Sequence, residues 1–309
     1  MKKYIGQRLL HLVGILIALS FLTFLLMYLS PGDAAMKKLN AQGIPVSQEV
    51  LEKTREEMGL NRPFIVQYGD WALKALRGDL GNSFKDGTSV NAKLSKALGF
   101  TLKLALTSLI ISLVISLPLA FLTAVKKDTP LDYIVRFLSF IANSMPNFLI
   151  SILLMYLFCI KLQLLPVVAD QSFKGLLLPS VALSIPMIGR FVRQFRAEIL
   201  EQLSKSYVSG AASRGVKSRY ILFNDVLHNA SITILTIVGL SIGTLMGGSV
   251  VIETLFRWPG LGKLAMDAIT NRDYPVIQGF VLFTAVLYVI VNLITDICYH
   301  WVDPRVRAE

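Results

Sequence analysis

Glu198-Ile199-Leu200-Glu201-Gln202-Leu203-Ser204-Lys205-Ser206-Tyr207-Val208-Ser209-Gly210-Ala211-Ala212-Ser213-Arg214-Gly215-Val216-Lys217 opens a stretch that continues to Leu227-His228-Asn229-Ala230. It is polar and basic, yet its apolar residues keep helical spacing. Five small residues, Ser209 to Ser213, stand at its middle, and Gly215 follows two positions later. Long apolar runs lie on both sides. The stretch therefore reads as a structured segment between two membrane spans, of a size that needs a partner.

The composition agrees with spans on either side. Of the 309 residues 54% are hydrophobic and 17% charged, and the mean hydropathy is +0.59. Several runs approach or exceed the roughly 20 apolar residues that cross a bilayer. The class is an all-α polytopic membrane protein. A net charge of +11 would suggest nucleic acid in a soluble protein, but basic loops on the inner side explain it here, so no nucleic-acid partner is expected. Cys159 and Cys298 both fall in apolar runs, with no CxxC motif or disulfide framework.

Working outward, six spans emerge. The first, about Leu9–Leu29, follows Lys2, Lys3 and Arg8 and reads as uncleaved. Residues 31–98 form a mixed segment after the turn Ser30-Pro31-Gly32-Asp33. It carries a short helix capped by Ser47 and another opened by Pro63, with Phe64, Tyr68, Trp71 and Leu76 on one face. The second span is about Phe100–Val125, with Pro118 inside it. The third, about Ile134–Ile160, is broken at Ser144-Met145-Pro146-Asn147. The fourth, about Leu176–Phe195, carries Pro179 and Pro186 and continues past Arg190, Arg193 and Arg196 as helix. The fifth, about Ser231–Ile252, is rich in Gly and Ser. An outer segment, Glu253–Gln278, precedes the sixth span, about Gly279–Tyr299. With both ends inside, fifteen Lys and Arg fall on the inner side and five on the short outer segments. The ten in 31–98 are discounted because the segment is longer than roughly 60 residues.

Domain boundaries follow: 1–30 an N-terminal span, 31–98 an extracytoplasmic segment, 99–301 a transmembrane core with a cytosolic loop at about 197–230, and 302–309 a cytoplasmic tail. There is no internal repeat of the kind common in secondary transporters, and no acid or histidine relay runs deep in the spans. Asp296 is the clearest acidic exception. No GxxxxGK[ST] phosphate loop is present, so the chain is not expected to hydrolyse ATP. No catalytic, cofactor or metal-ligand set stands out. His11, His228 and His300 lie far apart and read as structural. Met145, Met187 and Met246 read as packing, with a pathway lining as the alternative.

In their order and spacing, several motifs resemble a permease subunit of an ATP-binding-cassette importer, in the branch that handles peptides and nickel. Tyr207-Val208-Ser209-Gly210-Ala211-Ala212-Ser213-Arg214-Gly215, followed by Leu222 to Ala230, looks like the permease signature loop. Asn61–Tyr68, Gly78-Asp79-Leu80-Gly81-Asn82-Ser83-Phe84, Glu253–Gly262, Arg272–Gly279 and Asp303-Pro304-Arg305 resemble the rest of that branch. Gly210 and Ala212 stand where Thr and Arg are common, and Gly99 stands in place of a Pro.

The resemblance implies a type I importer permease fold with six transmembrane helices and cytoplasmic termini. It implies a multi-pass protein of a bacterial inner membrane, paired with a second homologous permease, two ATPase subunits that bind the ATP and Mg, and an extracytoplasmic solute-binding protein. Docking of the ATPase would centre on Tyr207–Gly215 with Val216 and Lys217. Pro118, Pro146, Pro179 and Pro186 would be hinges. Trp258, Pro259 and Gly260 would form a re-entrant turn with an interfacial Trp, or a contact for the binding protein. Arg190, Arg193 and Arg196 are inside-positive charge, with a motor contact as the alternative. Asn40–Pro45, Thr54-Arg55 and Ser144–Phe148 are more similar to nickel or metal-chelate permeases than to dipeptide ones. The spans offer no cluster for a bare divalent ion, so a metal cargo would pass as a chelate. A peptide importer is the alternative, and an ion-driven secondary transporter or a membrane scaffold stands further off.

Overall fold

The computed structural model describes residues 2–30, 32–41 and 47–302. Pro31, Gln42–Pro45 and the Asp303-Pro304-Arg305 tail lie outside the described residues, as do the side chains of His11, Met246, Asp296, Cys298 and His300.

Helices follow in the order α1 (Lys2–Leu29), α2 (Ala34–Ala41), α3 (Gln48–Glu57), α4 (Phe64–Leu76), α5 (Val90–Val125), α6 (Pro130–Ser144) and α7 (Asn147–Met155). A π-helical segment, Tyr156–Lys161, extends α7. Then come α8 (Phe173–Leu203), α9 (Ser206–Ser213), the single turn α10 (Ser218–Tyr220), a second π segment (Ile221–Val226), α11 (Leu227–Leu255), α12 (Leu261–Asn271) and α13 (Tyr274–Val302). Four helical stretches are long and apolar enough to cross a membrane, and the number reaches six if each of two bent helix pairs is one span. The second pair, α6 with the helix Asn147–Lys161, bends by 101°. The expected break at Ser144–Asn147 is thus an elbow rather than a kink. It falls at Met145, which is extended, and Pro146, whose ring bars it from donating into α6.

The chain forms two compact units. One comprises Met1–Phe100 and Pro259–Ile290. Its α4 lies on α1 through aromatic edges, with Phe21 and Phe24 each 5.4–5.6 Å from the rings of Phe64 and Tyr68. The expected face of Phe64, Tyr68 and Trp71 is correct, but Leu76 is 85% exposed and does not join it. The turn Gly78–Phe84 is tied to Asp273, whose carboxylate accepts from the Ser83 hydroxyl and, at 2.8 Å, from the Phe84 N–H. Two motifs nearly 190 residues apart therefore meet.

The other unit comprises Thr101–Trp258 and Val291–Glu309. On α5 the buried positions Leu104, Ser108, Ser112, Ser116, Ala120 and Ala124 recur every four residues and are mostly small, which lets helices approach closely in lipid. The hydroxyls of Ser108 and Ser112 are satisfied by carbonyls one turn back, at 2.7 Å each. The opposite face, with Leu106, Ile110 and Val114, is exposed and apolar. That inversion of the soluble pattern is what lipid-facing helices require.

Candidate functional site

The helix α8 runs unbroken for 31 residues, well past its apolar part, and ends at Ser204. After Lys205, α9 spans Ser206–Ser213. Its C-terminus is closed by backbone alone. Gly215 takes φ +80°, the Gly215 N–H bonds Ala212 O at 2.9 Å, and the Val216 N–H bonds Ala211 O at 3.2 Å. This is the Schellman pattern, in which a glycine with positive φ turns two orphan carbonyls into acceptors. No atom lies within 4 Å of where a Gly215 Cβ would stand, so the conformation alone calls for glycine.

An apolar core holds this short helix in place. Phe191, Phe195 and Ile199 of α8, Ala211 of α9, Ile221 and Val226 of the second π segment, Ala230 of α11 and Ala120 and Ala124 of α5 form one buried cluster. Phe191 and Phe195 stack at 5.0 Å. Val208 and Val216 pack against the same cluster. Polar contacts close the edge. The Tyr207 hydroxyl donates to Gln202 Oε1 at 3.2 Å, and Gln202 Nε2 donates to Glu198 Oε1 at 2.8 Å. Burial pushes the Tyr207 phenol above its usual range, so it stays a neutral donor at physiological pH.

Residues 207–217 therefore divide into two sets. Tyr207, Val208, Ala211 and Val216 turn toward the chain's own core. Ala211 is buried and is not available to a partner, which corrects its place in the expected docking set. Ser209, Ala212, Ser213, Arg214, Gly215 and Lys217 are exposed, and Gly210 is half-buried with open space beside it. On α9 itself the outward residues are only Ser, Gly and Ala; the long basic side chains of Arg214 and Lys217 lie past its end.

Residues 116–308 match the family described as the binding-protein-dependent transport system inner membrane component, and residues 1–107 match the N-terminal region of such membrane components. Relatives align along nearly the whole chain. A probable peptide ABC transporter permease of Sinorhizobium fredii is 37% identical over 98% of this chain and 99% of its own length. The nickel import system permease of Staphylococcus aureus is 36% identical over 98% of this chain and 91% of its own. The metal-staphylopine import system permease of the same species is 35% identical over 99% of both. The chain belongs to this permease family. It is an inner-membrane transport subunit with an all-α membrane fold.

In the permease, the four prolines expected to hinge are not equivalent. Pro146 sits at the elbow between α6 and α7, whereas Pro118, Pro179 and Pro186 lie inside uninterrupted helices. The Trp258-Pro259-Gly260 expectation needs correction. Trp258 is 1% exposed and Gly260 is buried, leaving only Pro259 half-open. The indole is enclosed by the chain itself, so its ring is not exposed to a binding protein.

Three polar residues escaped the sequence reading. Glu253, expected to open an outer segment, belongs to α11 and is fully buried, accepting from the Thr101 hydroxyl at 2.7 Å. Arg196, grouped with inside-positive charge, also donates to Asp132 in the first turn of α6. Gln202 is buried at the base of α9.

Proposed function

We propose that the permease is one membrane subunit of an ATP-driven importer, and that α9 is the helix on which a separate ATPase subunit docks. The observation that carries this reading is the outward face of Ser209, Gly210, Ala212 and Ser213 on a helix fixed from behind by the α8 core. A rigid, bulk-free helix can enter a groove of a partner and pass on its movement. A second homologous permease, two ATPases and an extracytoplasmic binding protein complete the assembly. ATP and Mg belong to the ATPases. In this arrangement residues 31–98 face the binding protein and the 197–230 loop faces the cytosol.

For cargo we favour nickel or another transition metal carried as a chelate. The nickel and metal-staphylopine relatives support this, together with the likeness of Ser144–Phe148 to such permeases. The similarity to a peptide permease supports a second reading, dipeptide or oligopeptide import. In a strain lacking the gene, uptake of labelled nickel, with and without histidine as chelator, is expected to fall, while sensitivity to a toxic dipeptide persists. Lost peptide sensitivity with normal nickel uptake would reject the metal reading. Gly215→Pro, which cannot adopt φ +80°, is expected to abolish uptake while the chain still inserts; wild-type uptake would reject docking at α9.

A further inference from the structure

The strongest polar pairing that the proposed function leaves unused joins α6 to α8. Asp132 is fully buried, and its carboxylate accepts two hydrogen bonds from Arg196, Nε to Oδ1 at 2.7 Å and the terminal nitrogen to Oδ2 at 2.6 Å. A third comes from the Asp128 backbone N–H at 3.1 Å. Arg136, one turn on, stands 4.0 Å away at the edge of ion-pair range. The Arg196 side chain is 13% exposed.

Such a pair says little about stability, because desolvation offsets much of the attraction and an apolar pair of similar size would hold as well. What the bidentate fork adds is direction, since it fixes both the separation and the register of the two helices. A second fixed point lies about two turns back along α8, roughly 10 Å at the α-helical rise. There a Cβ on Gly189 would fall 2.5 Å from the Ser139 carbonyl oxygen and 3.0 Å from the Asn143 nitrogen of α6. The two backbones touch. Two helices held at two points on one side cannot rotate or slide independently. Arg196 is also flanked by Phe195 and Ile199, two of the three residues that α8 contributes to the buried core beneath α9. At its other end α6 meets α7 through the 101° elbow.

We propose that the Asp132–Arg196 pair and the Gly189 contact make α6 and α8 a single lever, so that displacement of α9 is delivered through α6 to the elbow at Pro146. Asp132, Arg196 and Gly189 are then positioning residues of the transport cycle. The inference rests on α9 being the docking helix. It differs from a gate reading, in which the pair would open and close in each cycle.

The test uses the purified transporter, this chain with its partner subunits, in proteoliposomes. ATP hydrolysis is measured beside uptake of labelled nickel and of labelled dialanine, and the coupling ratio is taken for whichever the wild type imports. Asp132→Asn is expected to keep assembly and ATP hydrolysis while uptake per ATP falls about tenfold, within the usual range of coupling between distant sites. A D132C/R196C chain, with Cys159 and Cys298 replaced by Ala, is expected to be equally uncoupled and to regain uptake when a short bifunctional thiol reagent bridges the pair. If Asp132→Asn fails to assemble, the bridged pair decides alone. Uptake per ATP unchanged in Asp132→Asn overturns the lever. So does a bridge that leaves the double-cysteine chain uncoupled or arrests it. Wild-type uptake that continues without ATP would instead remove the docking reading beneath it, a separate result.

Discussion

The α9 helix and the Gly78–Phe84 turn are both short pieces that lead toward a long apolar helix, and they are held by different means. The turn is fastened by polar groups. Ser83 and the Phe84 N–H bond Asp273, and Lys93 reaches both Ser83 at 3.0 Å and Asp86 at 2.7 Å. Its donors and acceptors are largely consumed inside the chain. The α9 helix is fastened chiefly by apolar packing and a glycine turn, with its small-residue face exposed. Polar fastening makes a finished surface. Apolar fastening from behind makes a surface that can still be covered.

Truncation breaks this comparison most severely at the apolar side. Phe195→Ala is expected to cost about 3–5 kcal/mol, the range for a fully buried aromatic, measured by denaturation of the purified chain in mixed micelles. A loss no larger than at an exposed site would show that α9 is not held by this core. Next comes the turn. Asp273→Ala leaves the buried Ser83 hydroxyl and the Phe84 N–H short of their acceptor, at about 1–3 kcal/mol. Faster proteolysis confined to residues 78–93 is the expected signature. Smaller again is Gly215→Ala, about 1–2 kcal/mol for a left-handed residue, with Gly215→Asn milder.

The smallest effect concerns pH. Burial works against the Asp86 carboxylate, but hydrogen bonds from Lys93 and Thr88 outweigh it and hold Asp86 well below the usual carboxylate range. A depressed folded pKa contributes stability that is complete above the ordinary value near 3.9 and is lost as pH falls through the folded value. Wild type and Asp86→Asn should therefore differ equally at pH 5 and pH 8 and converge only in strong acid. A difference that changes between pH 5 and 8 would mean that another group titrates at the turn.

What the sequence disclosed tracks how local the physics is. The α9 hairpin was legible because its parts are neighbours: small residues in a row, helical spacing on both sides and a glycine where the helix must stop. The long helices were legible because apolar length is itself the criterion for a span. Asp132 and Arg196 were not, since they are 64 residues apart and a buried pair looks in sequence like two surface charges. The sequence puts Glu253 at the start of an outer segment, because an acid beside apolar residues normally marks the end of a span. Here α11 carries it inward to the Thr101 hydroxyl. Trp258 illustrates the converse. Its neighbours Pro259 and Gly260 suggest a turn at an interface, and nothing in the order of residues reveals that the ring is enclosed. The π segments at Tyr156–Lys161 and Ile221–Val226 have no residue signature, because i→i+5 and i→i+4 bonding use the same side chains.

The central claim is that one face of α9 belongs to the chain and the other to an ATPase. A photo-crosslinking residue placed singly at Ser209, Ala212 and Ser213, and for comparison at Val208 and His228, tests it in membranes of cells carrying the whole transporter. Adducts identified by mass spectrometry as the nucleotide-binding subunit are expected from the three outward positions and not from Val208 or the exposed His228. No such adduct from Ser209, Ala212 or Ser213, or equal yields from all five positions, would contradict the account.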